Sequence, residues 1–343
     1  MLRLYSLLLT ALVAWGGGAQ TPVARPVEDM VRAVRSGLQA RESDEQIARA
    51  IEAIKLTDRL DDEVIEQLQT EGAGQLAIDK LERQRDISCN LPPPAVPLRL
   101  FESPVTPSAE EQSRVIELAR AWTTQYMASL PNFLCEKEVS RHTKRKDQAP
   151  WQMKESLKWE LGYADRKEYQ KLVAINGRPT QRKTAHGWAS SGEFGGIMSV
   201  IFRPNPEAKL QWSRWSNLRG RPVQVFSYYV EQKQAGFLLA ASGWITSRRA
   251  FAGLRGSVYI DGETGHIMRI TYDADEIPSG FPVLRTHEVV DYSEVQIGGE
   301  KFLLPVRSTG QYVTTKGVIG RSVMEFTNYR KFTSEVKIEF EKQ

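Results

Sequence analysis

The sequence has little of the material from which metal centres and thiol chemistry are built. Its 343 residues include only two cysteines and four histidines, and the histidines (His142, His186, His266 and His287) show no His-x-x-x-His spacing. Such scattering does not favour a metal site, and we expect neither a metal nor a cofactor. The formal net charge is only +4, which does not indicate a nucleic-acid partner.

Long apolar runs are also scarce. The run near the N-terminus covers Leu4–Trp15, follows the basic Arg3 and precedes the small residues Gly16–Ala19. This order is typical of a secretory signal peptide over residues 1–19, with cleavage before Gln20. An uncleaved anchor is the less favoured alternative, because a spanning helix needs about 20 apolar residues. We therefore expect a periplasmic or secreted protein with no transmembrane anchor after cleavage.

That compartment bears on the two cysteines. Cys89 and Cys135 are able to pair in an oxidising space, and a disulfide would then link the end of one module to the start of the next. The oxidising compartment favours the disulfide, and two unpaired thiols are the alternative.

Apolar spacing and charge divide the chain. Residues 26–88 repeat apolar side chains at helical intervals, which predicts a small module of four short helices. Ser43 and Gln46 have the spacing of a capping box at the start of the second helix. Residues 25–88 carry a net charge of −5, whereas residues 89–343 carry +8. The apolar pairs on either side of a glycine turn in Leu68–Leu81 resemble the short helical modules of many bacterial envelope proteins, and this resemblance implies a protein-contact or spacer role for the module.

A proline-rich linker over residues 89–108 separates this module from the rest of the chain. Ser108 and Glu111 then predict the start of a helix that Pro131 ends. Strand patterns follow, interrupted by a short predicted helix with Phe194, Ile197, Met198 and Ile201 on its apolar face. The predicted strands are 133–142, 155–163, 167–175, 208–215, 222–232, 235–241, 255–261, 265–273, 286–297, 300–306, 308–315, 320–330 and 333–341.

These elements predict an α+β fold, in which residues 109–343 form a curved antiparallel β-sheet, or half-barrel, packed on a helix and preceded by the small all-α module. So many strands in series must curl, close or split into two sheets. The clearest hairpins lie in Gly256–Val306, where turns at Asp261–Gly265 and Gly298–Gly299 join strands of alternating apolar residues.

No catalytic motif is complete. Gly187–Gly192 has the spacing Gly-x-x-Ser-x-Gly rather than the Gly-x-Ser-x-Gly of a nucleophile elbow, and a helix cap is the favoured interpretation. Asp273, Asp275 and Glu276 lack the calcium-loop pattern. A hydrolase is therefore the least favoured function, and we expect the protein not to be an enzyme.

Aromatic residues concentrate in the second domain. A buried tryptophan usually belongs to a packed core, yet a curved sheet with one helix across it also has a concave apolar face that suits an apolar ligand. The residues predicted to line such a face are Trp159, Trp212, Trp215, Phe226, Tyr228, Val258, Ile260, Ile267 and Met268.

The hairpin stretches Gly256–Asp261, Thr264–Arg269 and Tyr292–Pro305 carry a resemblance. Through them, the second domain resembles the periplasmic lipoprotein-carrier family, which includes outer-membrane lipoprotein-sorting proteins, their receptors and sigma-factor regulatory proteins. The resemblance implies a half-barrel that binds lipid. The middle of the chain is closer to a group of secreted bacterial proteins for which no activity is implied, through Leu130–Cys135, Gly192–Gly195, Trp215–Arg221 and Val225–Tyr228.

Two functions stay open. The first is non-enzymatic binding of a lipid, an acyl chain or a hydrophobic peptide on the concave sheet, with the N-terminal helices recruiting an envelope protein partner. The second is a protein-binding envelope scaffold or sensor module whose core is filled by its own side chains. An open concave face favours the first function, and a filled face favours the second.

Overall fold

The computed structural model describes residues 23–88, 91–95, 106–145, 151–183, 185, 187–188, 194–203, 208–219, 221–242 and 247–332. The chain divides into two compact units, the first ending at Glu102 and the second beginning at Ser103. The predicted signal peptide, Cys89 and the predicted strand 333–341 lie outside the described residues. None of the described helices is both long and apolar enough to cross a membrane.

The first unit contains the four short helices that the apolar spacing predicts. The predicted capping box is present, because Ser43 Oγ accepts a hydrogen bond from Gln46 N at 3.3 Å and Gln46 Oε1 accepts one from Ser43 N at 2.8 Å. Two short parallel strands, which the sequence did not predict, join the helices. The elements are β1 (Val23–Arg25), α1 (Val27–Gln39), α2 (Asp44–Glu52), β2 (Ile54–Leu56), α3 (Asp62–Thr70) and α4 (Gln75–Ser88).

A side chain from α2 caps α4. The carboxylate of Asp44 accepts hydrogen bonds from Leu76 N at 2.8 Å and from Ala77 N at 3.0 Å. A Cβ atom at Gly74 would overlap this carboxylate, so glycine leaves the space that the cap occupies. A negative charge bonded to the first amides of a helix satisfies unpaired donors and opposes the helix dipole. The cap therefore fixes α4 to α2 across a long stretch of sequence.

We expect Asp44→Ala to destabilise the first unit by about 1–2 kcal/mol, because it removes both capping hydrogen bonds. Amide hydrogen exchange at Leu76 and Ala77 measures the loss directly. Glu45→Ala is the matched control, because Glu45 lies in the same acidic first turn of α2 but does not cap α4. Unchanged protection of Leu76 and Ala77 in Asp44→Ala would contradict the assignment.

The second unit begins with α5 (Ala109–Ser129), and Ser108 Oγ caps it by accepting a hydrogen bond from Glu111 N at 3.1 Å. The helix ends at Leu130, whose extended ψ of 123° leads into Pro131. The later elements are β3 (Phe133–Arg145), β4 (Gln152–Ala164), β5 (Lys167–Ile175), β6 (Arg178–Pro179), β7 (Gly187–Trp188), α6 (Gly196–Ile201), β8 (Lys209–Leu218), β9 (Arg221–Val230), α7 (Gln232–Ala235), β10 (Phe237–Ser242), β11 (Ser247–Ile260), β12 (Ile267–Asp275), β13 (Val283–Ile297), β14 (Glu300–Thr314) and β15 (Val318–Lys331).

One 13-stranded antiparallel sheet dominates this unit. Its order is β6-β5-β4-β3-β15-β14-β13-β12-β11-β10-β7, with β9 beside β11 and β8 beside β9. Val230 lies opposite Leu254 and Phe237 opposite Ala252, so β9 and β10 follow successive halves of β11. The described strands form an open sheet rather than a closed barrel. The predicted fold class, an α+β half-barrel packed on a helix, is confirmed.

The prediction that 300–306 and 308–315 are separate strands was wrong. They form the single strand β14, which bends at a bulge where Arg307 pairs with Asp291 and Pro305 pairs with Tyr292. Proline has no amide hydrogen to donate, so a bulge accommodates it without ending the ladder. The bulge also increases the bend of the sheet at its centre.

A buried ion network lies on the face of the sheet that points away from α5. Arg269 donates two hydrogen bonds to Asp291, at 2.8 and 3.0 Å, and Arg219 donates a third at 3.3 Å. Burial alone would raise the pKa of Asp291, but the charges and hydrogen bonds of Arg269 and Arg219 outweigh burial and lower it. The network therefore holds β12, β13 and the β8–β9 connection together.

We expect Asp291→Asn to lower the free energy of unfolding by about 3 kcal/mol, because it leaves the largely buried Arg269 and the partly exposed Arg219 without their counter-charge. The folded-state pKa of Asp291 is lowered, so its contribution is present above the unfolded pKa and is lost as pH falls through the folded pKa. Urea unfolding at neutral and acidic pH measures both effects. Glu294→Gln, at an exposed ion pair, is the control and should change little.

Candidate functional site

Helix α5 lies over the turn between β11 and β12. Arg114 donates a hydrogen bond to the carbonyl oxygen of Gly262 at 2.9 Å. A Cβ atom at Gly265, where φ is +73°, would lie 2.6 Å from the backbone carbonyl carbon of Leu118. Gly265 is therefore needed for two reasons: its backbone conformation disfavours a side chain, and the helix approaches too closely to leave room for one. Helix α5 therefore packs directly on the turn that the sequence predicted at Asp261–Gly265.

Cross-strand partners define the concave face, which is the face that α5 covers. Val258 lies opposite Ile270 and opposite Phe226, and the same row continues into β13, β14 and β15. Because directly opposed residues point to the same side of a sheet, the row is an apolar band across the concave face. The rest of the row is Val290, Ser308, Met324, Val139 and Leu157.

The chain fills most of this face with its own side chains. Val115 and Ala119 of α5 pack in one cluster with Ile197, Met198 and Ile201 of α6 and with the sheet. Of the residues predicted to line a ligand site, Phe226, Val258, Ile260 and Ile267 are each 0% exposed, so no water-sized space touches them. Tyr228 and Met268 are buried in the same cluster.

The three predicted tryptophans occupy two different places. Trp159 is buried in a second cluster, beneath β3, β4 and β15. Trp212 and Trp215 are half-buried on β8, with ring centroids 6.4 Å apart. Trp212 packs against the edge of the concave-face cluster, so this pair forms a rim rather than a floor. Ligand contact by the nine residues stays a prediction.

Residues 194–203, here called the insert, form the smaller cover of the concave face. Phe194, Ile197, Met198, Ile201 and Phe202 are all buried, as the sequence predicts for most of them. The regular structure of the insert is the six-residue helix α6, whose N-terminal flanking residue Gly195 provides no side-chain cap. The cap predicted at Ser191–Glu193 lies outside the described residues.

Gly195 brings the insert against α5. Its φ is +117°, and a Cβ atom there would overlap Met127 Sδ and lie 3.3 Å from Tyr126 Cε1. At Gly196, by contrast, an added Cβ atom meets nothing within 4 Å. A side chain at Gly195 would therefore clash with α5, whereas a side chain at Gly196 would not.

Two buried tyrosine side chains lie beside the insert, a buried threonine lies one helical turn from one of them, and sequence reasoning missed all three. Thr123 Oγ1, Tyr126 Oη and Tyr163 Oη are buried and have no hydrogen-bond partner within the part of the chain that the structure describes. Buried polar groups are nearly always paired, so three together are unusual. The signal available in the sequence was the spacing of Thr123 and Tyr126, which are three residues apart and therefore lie on one face of the predicted helix.

Polar residues also interrupt the concave face. Glu288 is only 2% exposed and accepts a hydrogen bond from Ser308 Oγ at 2.9 Å. Lys137, equally inward-facing and 5% exposed, lies 6.0 Å from the ring centroid of Phe326. The register places them on opposite sides of the row through Val290 and Val139, and burial of ionisable groups requires local compensation at each place.

The remaining reactive candidates do not come together. His266 packs on Trp122 with centroids 5.3 Å apart, and burial lowers its pKa. His287 Nδ1 lies 3.3 Å from Asp273 Oδ1 on the other face of the sheet. Cys135 is buried in β3, while Cys89, His186 and the Ser190–Gly192 motif lie outside the described residues, so the disulfide stays a prediction.

No family model and no curated protein matches the chain. Among solved structures, it is similar to a DUF1329 family protein from Desulfovibrio piger ATCC 29098, at 14% identity over 65% of this chain and 93% of that chain, with a TM-score of 0.33. It is also similar to a LolA superfamily protein from Nitrosomonas europaea, at 11% identity, 65% and 94% coverage and a TM-score of 0.28. A third similar structure is a putative outer membrane lipoprotein-sorting protein domain from Vibrio parahaemolyticus, at 9% identity, 65% and 94% coverage and a TM-score of 0.32. The family that the hairpin motifs resemble is thus represented among the structural neighbours, at low identity.

We expect Gly195→Ala to loosen the insert, because the new methyl group overlaps Met127 and the backbone conformation disfavours any side chain. A loss of about 1–3 kcal/mol and increased binding of an apolar dye should follow. Gly196→Ala is the control and should be neutral or slightly stabilising, since alanine favours a helix. Equal behaviour of the two variants would contradict the packing described.

Proposed function

We propose that the second unit binds the acyl chain of a lipid or lipid-modified protein on its concave face, in the space that the insert occupies. The protein acts in the periplasm or outside the cell and does so without catalysis. In this proposal the ligand displaces the insert from the concave face, whereas the sheet and α5 form the site both with and without ligand.

The observation that carries the proposal is the character of the insert. It places five buried apolar side chains on the concave face, yet its regular structure is only six residues long. A helix of that length is not stable alone in water, so the insert is ordered only by the apolar surface beneath it. An acyl chain presents the same kind of surface and is therefore able to compete for the same place.

The rim supports the same function. Trp212 and Trp215 are half-buried beside the cluster, where a ligand would enter or leave. Their indole rings are large apolar surfaces that an acyl chain would contact at this rim. The predicted lining residues Val258 and Ile260 would form the floor once the insert is displaced.

The filled face favours a second function, a scaffold or sensor that binds only protein. Four predicted lining residues are 0% exposed, which is the burial expected of a permanent core. In that case the insert never leaves, and truncating it would only destabilise the protein. The two functions therefore predict opposite effects on lipid uptake for a weakened insert.

We expect Met198→Ala to raise lipid affinity. Truncating this fully buried side chain weakens the insert by about 2–5 kcal/mol. If the insert competes with ligand, a larger open population raises the apparent affinity about tenfold or more. Native mass spectrometry after incubation with phosphatidylethanolamine vesicles measures uptake.

Ile260→Ala is the matched control, because it removes a comparable side chain from the floor rather than from the insert. We expect it to destabilise the fold similarly and to reduce uptake. Absence of lipid in the wild type and in both variants would overturn the proposed function and favour the scaffold.

A further inference from the structure

Tyr126 and Tyr163 lie against the first described residues of the insert, and Thr123 precedes Tyr126 by one turn of α5. Thr123 and Tyr126 are three residues apart on α5 and so share one face of the helix. Tyr163 lies on β4, with its ring 6.5 Å from that of Phe194, while Tyr126 contacts Gly195. Phe194 and Gly195 therefore cover both tyrosines, and displacement of the insert uncovers them.

The rings around the hydroxyls are held firmly. Tyr126 packs on Trp122 with centroids 4.9 Å apart, and Tyr163 stacks on Phe133 at 5.4 Å with an interplanar angle of 13°. All three hydroxyl-bearing residues are more than nine-tenths buried. Fixed donors in a dry environment are well suited to recognise one acceptor, because they lose little entropy on binding.

Both tyrosines remain protonated donors at any physiological pH. Burial is the main cause that raises the pKa of Tyr126 and of Tyr163, and the charge of Glu168 raises both further. The same burial disfavours an anionic ligand group at this position.

Resting on the proposed function, we propose that Thr123, Tyr126 and Tyr163 form a polar subsite that accepts the neutral carbonyl oxygen of the bound acyl group, as found in an ester or amide. The acyl chain then lies along the apolar face in the place of the displaced insert, with its carbonyl at the end where Phe194 packs in the absence of ligand. The subsite selects acylated ligands over ether lipids, which lack a carbonyl, and over fatty-acid anions.

The test compares ester-linked and ether-linked phosphatidylcholine of equal chain length, supplied as vesicles to the full-length protein. Tightly placed hydroxyl donors should favour the ester lipid about five- to tenfold in affinity. Tyr126→Phe and Tyr163→Phe should abolish this preference while leaving ether-lipid affinity unchanged. Neither variant should unfold, because each removes a hydroxyl that has no partner among the described residues.

Tyr229→Phe is the matched control. Its hydroxyl bonds to Glu276 Oε1 at 2.8 Å at an exposed position, so its removal should leave the ester preference intact. Equal affinity of the wild type for ester and ether lipids would overturn the subsite while leaving acyl binding in place. A preference that survives both phenylalanine variants would also overturn it. Binding of neither lipid would instead overturn the proposed function itself.

Discussion

The second unit depends on covering one apolar face of a curved antiparallel sheet. An open sheet with an apolar band such as Val258, Ile270 and Val290 cannot leave that band in water. Helix α5 covers part of it and is fixed in place by the β11–β12 turn. The insert covers much of the remainder, with far less secondary structure of its own. This unequal division between a long helix and a short segment underlies the proposed function.

The two covers differ in how they are attached. α5 has a side-chain cap, 21 residues and polar anchors to the turn at Gly262. The helix of the insert is only six residues long and has no side-chain cap. Next to this helix, Gly195 lies against α5 in a left-handed backbone conformation. Local stability is lowest where secondary structure is short and buried contacts are shared with other elements. The molecule therefore has a weak cover next to a strong one over the same apolar surface.

The buried polar groups on the two faces of the sheet differ in whether they are paired. Away from α5, Arg269 and Asp291 form a closed network in which each charge is compensated, which suits a structural function. Beside the insert, the hydroxyls of Tyr126 and Tyr163 are buried without such compensation among the described residues. A buried donor left unpaired lowers stability, so its retention is more readily explained by binding than by folding.

The sequence alone determined the local elements, because their causes are local. Helical spacing and the Ser43 cap predicted the first unit, and glycine turns with alternating residues predicted the hairpins of the sheet. The joining of two predicted strands into β14 escaped it, since a bulge depends on the partner strand. Only the tertiary structure showed that Val258 and Ile260 are covered while Trp212 remains at the rim, because burial depends on which distant segment packs there. The grouping of Tyr126 with Tyr163 was likewise decided in three dimensions, since α5 and β4 are far apart in sequence and the two side chains both lie against the start of the insert.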